Sequence, residues 1–255
     1  MADEVLTETR GRVQVITLNR PDVMNAVNED LAKALAAAMD EMDANPDISV
    51  GVLTGNGRGF CAGMDLKAFA KGSFPTVEGR GFGGITEQPP KKPVIAAVEG
   101  FALAGGLELA LTCDLIVASE GAKLGIPEVS VGLFAGAGGL LRLPRLLPYG
   151  VAMRMALTAE PILAEQALEF GMVTEVTPKG EALAKAIELA EQIAQNAPLA
   201  LMSTKALVRE MQGRTEEEFW AYQSDHHFTQ IFSSADALEG ANAFADKRAP
   251  EWKGE

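Results

Sequence analysis

The chain has 255 residues, of which 47% are hydrophobic and 22% charged, and its formal net charge is −13. This length and balance are typical of a globular protein with a sizeable core, built as one large domain or two small ones. The negative charge argues against a nucleic-acid partner, although a local pair of Lys or Arg residues could still hold a small anion.

Cysteine usage and apolar segments limit where the protein can work. Cys61 and Cys113 are too few for a disulfide framework and belong to no Cys/His cluster, so we expect buried side chains, no metal and a reducing, cytoplasmic location. The acidic N-terminal residues lack the apolar region of a signal peptide. The apolar stretch 94–113 contains Glu99 and Glu108, which are costly in a bilayer, so no membrane partner is expected.

In chain order, the sequence first predicts alternating strands and helices. Two β-rich runs around Gly11 predict a hairpin over residues 5–18, and Asn28 can cap a helix that follows it. Further strands are predicted at 50–53, 93–98, 115–118 and 123–125, and short helices at 65–69 and 105–111. The Gly- and Pro-rich residues 72–90 are expected to form a long loop.

Beyond residue 149 the pattern changes to helices. Apolar residues at helical spacing predict helices at 165–170, 181–195, 198–211, 216–231 and 235–247. Arg142 and Arg145 are interpreted as a solvated helix face, and the adjacent His226 and His227 as polar surface. The alternation of strands and helices predicts an α/β fold of stacked ββα units with parallel strands.

Two glycine-rich turns are candidates for binding a polarised or anionic group. One contains Gly63 and Met64 after a buried strand, and the other opens a helix at Gly105. Backbone N–H groups at such turns are unpaired, and the helix dipole favours negative charge there. Glu108 lies three residues beyond Gly105 and should face the same side of the helix, so one site could hold N–H donors and a carboxylate.

A second carboxylate, Glu128, lies at a strand end in an apolar setting. Taken singly, each feature has a simpler interpretation. A Gly-rich turn is usually only a turn, Glu108 could stabilise a helix N-terminus, and Glu128 could be an exposed loop acid.

Taken together, the segments resemble the crotonase (enoyl-CoA hydratase) superfamily over nearly the whole chain. The resemblance is carried by FCAGMDLKAF, IAAVEGFALAGGLELALTCDLIVAS and GIPEVSVGLFAGAGGLLRLPRLLP, with support from LNRPDVMNAVN, LTAEPILAEQALEFGMVTEV and EGANAFADKRAPEWKG. It implies a crotonase (ClpP-like) spiral of ββα units that carries the active site over residues 1–195. It also implies a helical C-terminal trimerisation region over residues 196–255, and hence a homotrimer or a hexamer made of two trimers.

The resemblance also implies roles for individual residues. The N–H groups of Met64 and Gly105 would form the oxyanion hole for a thioester oxygen, and Glu108 and Glu128 would be the catalytic acid–base pair. The implied CoA-binding residues are Met24, Ala26, Ala62, Asp65, Leu66, Lys67, Phe244 and Lys247, the last two often supplied to a neighbouring subunit. Coenzyme A would be part of the substrate, and no further cofactor is implied.

The activity that the resemblance implies is hydration of a 2-enoyl-CoA, because this sequence keeps both acids, twenty positions apart. Alternatives with the same fold are an enoyl-CoA isomerase and a carnitinyl-CoA dehydratase-like enzyme, to which LLRLPRLLPYG is somewhat closer. The retained acids oppose a non-catalytic acyl-CoA-binding relative, and the negative charge opposes an RNA-binding one. The acyl pocket is expected to be shaped by Phe69, residues 72–90 and residues 129–137.

Overall fold

A computed structural model describes residues 3–255. The last strand ends at Thr177, and helices lie both before and after that residue. The strands are β1 Val5–Arg10, β2 Val13–Leu18, β3 Val50–Gly55, β4 Thr76–Val77, β5 Gly81–Phe82, β6 Val94–Val98, β7 Phe101–Leu103, β8 Leu115–Ser119, β9 Lys123–Gly125, β10 Ile162–Leu163 and β11 Glu175–Thr177. The α-helices are α1 Glu29–Ala44, α2 Leu66–Phe69, α3 Gly105–Thr112, α4 Gly139–Leu146, α5 Tyr149–Thr158, α6 Ala164–Glu169, α7 Ala182–Ala194, α8 Pro198–Glu210, α9 Glu216–Gln223, α10 Thr229–Phe232 and α11 Ala235–Asp246. Short 3₁₀ turns lie at Pro21–Val23 and Glu128–Val131. Within residues 3–255, no helix is long and apolar enough to span a membrane.

A six-stranded sheet forms the centre of the fold, in the order β1-β2-β3-β6-β8-β11. The pair β1–β2 is the antiparallel hairpin predicted around Gly11, and every other neighbouring pair in this sheet is parallel. A second sheet has the order β10-β9-β7 and pairs β7 with β9 in parallel. Parallel pairs require long crossovers, which the helices between the strands supply. The predicted α/β class with parallel strands is therefore confirmed.

Both faces of the central sheet are buried, as expected for parallel strands covered by helices. Val50 and Val52 point to the side of α7, where Ala186 is fully buried. Leu53 points to the opposite side, where it joins Leu35 of α1 in the larger core cluster. The sheet is thus a fixed base for the loops that leave its strand ends.

One prediction about the less regular segments is wrong. Residues 72–90 are not one loop, because β4 and β5 form a short hairpin and Phe82 and Ile85 are buried in the core. The chain after residue 149 is mainly helical, as predicted, although β10 pairs with β9 and β11 completes one edge of the central sheet. Strands of two or three residues are too short to produce a recognisable period in the sequence.

The C-terminal helices also differ from the prediction in detail. A π-helical segment, Ser224–Phe228, interrupts the single helix predicted over residues 216–231. His226 is exposed, but His227 is half-buried, and its Nδ1 lies 3.0 Å from Ser203 Oγ. The interpretation of this pair as polar surface is therefore correct for His226 only.

An ion cluster attaches α8 to the core. Asp114 lies 2.7 Å from Lys205 Nζ and 3.2 Å from Arg209 Nη1, and it also accepts the N–H of Val94 at 2.8 Å. Arg209 additionally donates to the carbonyl of Thr112 at the C-terminus of α3, where positive charge is favourable. The cluster fixes the C-terminal end of the helix that begins at Gly105.

Candidate active site

Two loops that follow adjacent strands lie side by side. The loop after β3 and the segment after β6 leave the same edge of the sheet, because β3 and β6 are parallel neighbours. Cys61 pairs in parallel with Ala102, and the N–H of Leu103 donates to Cys61 O at 3.0 Å. This pairing places the segment that contains Gly63 and Met64 against the start of α3. Consistently, a Cβ added to Gly63 would lie 3.0 Å from Gly105 N.

The N–H groups of Met64 and Gly105 donate to no acceptor among residues 3–255. On either side of Met64, the carbonyl of Gly63 and the N–H of Asp65 both bond to Val27, so the Met64 N–H is directed away from that partner. Gly105 is the first residue of α3, where N–H groups have no partner within the helix. Two adjacent, unpaired amides can bind one oxygen that carries negative charge.

The turn before α3 is held in an unusual backbone conformation. Ala104 has φ 52° and ψ −132°, a combination that costs an L-residue roughly 1–3 kcal/mol. The turn is fixed from outside, since the N–H of Ala104 donates to Gly125 O at 2.9 Å. A strained turn that survives in a packed core is typical of a functional position.

A buried asparagine organises the loop that carries Met64. Asn25 is fully buried, and its side-chain amide donates to the carbonyls of Asn56, Gly59 and Phe60 at 2.9–3.0 Å. Its own carbonyl accepts the thiol of Cys61 at 3.1 Å, and Cys61 Sγ accepts the N–H of Gly63 at 3.3 Å. These bonds order the backbone that leads to the Met64 amide.

Glu108 lies on α3, one turn beyond Gly105, and is 3% exposed. Its Oε1 accepts the N–H groups of Ala137 at 2.7 Å and Gly139 at 2.8 Å. Burial raises the pKa of Glu108, and the two N–H donors and the charge of Arg142 oppose that rise. The carboxyl group is therefore anchored through one oxygen, at the start of α4.

Glu128 begins the 3₁₀ turn after β9 and is 9% exposed, which excludes the interpretation as an exposed loop acid. Burial, together with a smaller effect of the charge of Glu108, raises the pKa of Glu128 to about 7. Its Oε2 is buried without a hydrogen-bond partner among residues 3–255. Two buried carboxyl groups that feel each other's charge, one of them with a free oxygen, are suited to moving a proton near neutral pH.

The segment that was predicted to be a loop forms one wall of this site. A Cβ at Gly105 would overlap the ring of Phe82, so that ring packs directly on the backbone of Gly105. Arg142 connects this segment to α4, donating to Thr86 O at 2.6 Å. Arg142 is thus half-buried, and its interpretation as part of a solvated face is wrong; Arg145 is exposed, as predicted.

A profile of the enoyl-CoA hydratase/isomerase family matches residues 8–255. The chain is a member of this family. It is 55% identical to an enoyl-CoA hydratase from Mycobacterium marinum, with a TM-score of 0.96 over 99% of this chain and 100% of that one. It is also 52% identical to an enoyl-CoA hydratase from Mycobacterium tuberculosis H37Rv, with a TM-score of 0.96 over 99% of this chain and 100% of that one. A carnitinyl-CoA dehydratase from Salmonella typhi is 40% identical over an alignment of 261 positions that covers 100% of both chains. The crotonase fold implied by the sequence is thereby confirmed.

The residues implied to contact CoA in this family fall into two groups. Six of them surround the Met64 loop: Met24, Ala26, Ala62, Asp65, Leu66 and Lys67. The N–H of Ala62 donates to Met24 O at 3.0 Å, and Asp65 caps α2 while pairing with Arg20 at 3.2 Å. Phe244 and Lys247 lie instead at the end of α11, where Phe244 is 87% exposed. No hydrogen bond joins these two to the six within residues 3–255.

The supporting roles of four residues were not predicted from the sequence, although Phe82 and Ala137 lie in the ranges expected to shape the acyl pocket. Asn25, Phe82, Ala137 and Arg142 all support the amides or the acids, but each acts through contacts with residues distant in the chain. A positive φ at Asn25 and the packing of Phe82 on Gly105 cannot be inferred from local pattern. The only available signal was that Arg142 interrupts the apolar run LLRLPRLL.

Proposed function

We propose that this family member is an enoyl-CoA hydratase that adds water across the 2,3 double bond of a 2-enoyl-CoA thioester. The proposal rests on one combination of groups. The amides of Met64 and Gly105 have no acceptor among residues 3–255, and the carboxyl groups of Glu108 and Glu128 are buried. Hydratases of this kind are also the solved structures to which the chain is 52–55% identical.

The two amides bind the thioester oxygen in the proposed reaction. As the oxygen of water bonds to C3, the C2=C3 electrons move toward the carbonyl and negative charge grows on the thioester oxygen. Fixed N–H donors stabilise that charge more than the neutral carbonyl, which lowers the barrier. Such a donor is typically worth about 3–4 kcal/mol of barrier. The Gly105 donor gains further from its position at the N-terminus of α3.

The two carboxyl groups move the protons. Glu108 accepts a proton from water as its oxygen attacks C3, and Glu128 donates a proton to C2. The raised pKa of Glu128, about 7, supports the donor role, since a protonated carboxyl group is available near neutral pH. The two acids titrate as a coupled pair. Every bond change is accounted for by water, two carboxyl groups and two amides, so the proposed reaction uses no metal or redox cofactor.

Dehydration of a carnitinyl-CoA is the second candidate, because curated relatives with that name match over their full length at 40% identity. It is the same chemistry in reverse on a polar acyl chain. An enoyl-CoA isomerase would need proton transfer without water addition, and a binding protein would need no acids. A panel of enoyl-CoA and 3-hydroxyacyl-CoA thioesters separates these possibilities by the product formed.

The proposed substrate site and assembly extend beyond a single chain. CoA would lie along the six residues around the Met64 loop, while Phe244 and Lys247 would reach the CoA of a neighbouring subunit. Large exposed apolar side chains on the C-terminal helices, including Phe232, Leu238 and Phe244, support burial in a homotrimer or hexamer.

The buried, unpaired Cys61 and Cys113 support a reducing compartment such as the cytoplasm.

Glu108→Gln and Glu128→Gln test the proposal. Each variant is expected to lower the turnover of crotonyl-CoA hydration by at least about 100-fold, while calorimetry shows that acyl-CoA binding is retained. Glu169→Gln, at an exposed position on α6, is the matched control and should keep the parental rate. Near-parental hydration by either site variant would contradict the role assigned to that acid.

A further inference from the structure

Arg142 bridges two parts of the active site that are distant in the sequence. Its Nη2 donates to Thr86 O at 2.6 Å, and its Nη1 donates to Ala137 O at 3.3 Å. The guanidinium lies against Gly138, where an added Cβ would overlap Nη1. One side chain therefore joins the segment that covers Gly105 to the turn that binds Glu108.

That turn needs external support. It contains Gly138 at φ 104°, and glycine gives a backbone the least intrinsic rigidity. Its two N–H groups, from Ala137 and Gly139, donate to the same oxygen of Glu108. Arg142 holds the turn twice, through its guanidinium and through its backbone N–H, which donates to Gly138 O at 2.9 Å.

The charges around Glu108 and Arg142 are few and can be assigned. The charged and titratable groups that face this pair are Glu128, Arg145, Arg209 and Cys113. Arg209 is paired with Asp114, and Arg145 donates to Gln212 at 2.6 Å on the exposed side of α4. The positive charge of Arg142 lowers the pKa of Glu108, opposing the effect of burial.

We propose that Arg142 is a positioning residue for the hydration reaction: it fixes the turn that holds Glu108 and supplies a positive charge that faces this carboxyl group. The inference rests on the proposed function, in which Glu108 must be an aligned carboxylate to accept a proton from water. Without the guanidinium, the turn loosens and Glu108 binds its proton more tightly.

Steady-state kinetics with crotonyl-CoA across the pH range test this role in the full-length protein. Arg142→Gln is expected to lower kcat by about 10- to 100-fold, with a smaller change in KM, because a small misalignment of a reacting group is costly. The ascending limb of its pH profile should move to higher pH, since the pKa of Glu108 rises. Arg142→Lys keeps the charge but not the two-pronged contact, so its kcat should fall while its ascending limb stays parental. Arg145→Gln, three residues away on the same helix, should change neither quantity.

The outcomes separate this inference from the proposed function. A parent that hydrates the thioester and a Glu108→Gln variant that does not would support the function independently of Arg142. The activity of Arg142→Gln is then compared with its thermal stability. If both fall together and the ascending limb of the pH profile does not move, Arg142 has only a structural role and the inference is overturned. If Arg142→Gln does not fold, the Lys variant decides. A parental kcat, or a kcat that falls only together with thermal stability, overturns the positioning role; a reduced kcat with parental thermal stability and the parental limb supports it. A parent inactive on every thioester removes both proposals.

Discussion

Replacing Glu128 by glutamine is expected to inactivate the protein and also to stabilise it at alkaline pH. Glu128 is 9% exposed, and its Oε2 has no hydrogen-bond partner among residues 3–255. Ionising a carboxyl group in such surroundings is unfavourable relative to the unfolded chain, where water surrounds it. Glutamine has nearly the same shape and never ionises, so it removes this destabilisation.

The magnitude follows from the change in pKa. Folding raises the pKa of Glu128 from 4.5 to about 7, and each pKa unit corresponds to about 1.4 kcal/mol. The full difference is about 3 kcal/mol, and about 2 kcal/mol remains after allowance for screening by nearby water. Because the folded pKa is raised, the penalty is absent below pH 4.5, grows between pH 4.5 and 7, and is complete above pH 7. The Gln variant should therefore gain stability over the parent between those limits.

Urea unfolding at about pH 5 and about pH 8, with equal protein concentrations, measures the difference. The free energy of unfolding of Glu128→Gln relative to the parent should rise by about 1.5 kcal/mol between the two pH values, because about a quarter of the penalty is already present at pH 5. Glu169→Gln controls for the loss of a surface carboxylate and should show no such rise. If Glu128→Gln and the parent depend on pH in the same way, Glu128 is not a destabilised buried acid, and its assignment as proton donor loses its physical basis.

Two further predictions concern the amides and the proton donor. Gly63→Ala, at φ 98°, would bring a Cβ to 2.7 Å from Ala104 Cβ and 3.0 Å from Gly105 N, so kcat/KM should fall by about 100-fold or more. Gly171→Ala, at φ 81° with open space around it, should keep the parental kcat/KM in the same hydration assay, and equal loss in both variants would point to general strain. For the parent, kcat/KM should decline as pH rises through about 7, because Glu128 must be protonated to donate to C2. A profile that stays flat well above that pH would contradict the assignment of Glu128 as the acid.

Much of the framework could be predicted from the sequence because it depends on local signals. The hairpin around Gly11, the Asn28 cap of α1 and the Asp65 cap of α2 follow from turn and capping residues within a few positions. Apolar runs predicted the buried parallel strands, and the glycines at Gly105 and Gly106 predicted the start of α3. These signals also indicated the glycine turns at Met64 and Gly105 and the acid Glu108, since they lie at strand and helix ends.

The other features of the fold and the site could not be predicted from the sequence, because they depend on tertiary contacts. Phe82 lies in a Gly- and Pro-rich stretch with no strand period, yet it is buried against Gly105, which no local pattern indicates. Arg142 looks like an ordinary surface cation until the fold brings Thr86 and Ala137 to it. The burial of Glu128 also depends on tertiary contacts, since a glutamate that follows a proline is typical of an exposed loop.

The site concentrates features that oppose folding, and this has a mechanistic meaning. Ala104 has a strained conformation, the amides of Met64 and Gly105 have no acceptor among residues 3–255, and Glu108 and Glu128 are buried acids. Each feature costs roughly 1–3 kcal/mol, and together they approach the net stability of a typical domain. The parallel strands beneath them are buried on both faces, and this packing stabilises the structure against these costs. In the proposed reaction, a thioester oxygen and an attacking water bond to groups that folding leaves without partners, so the residues that oppose folding would also bind the transition state.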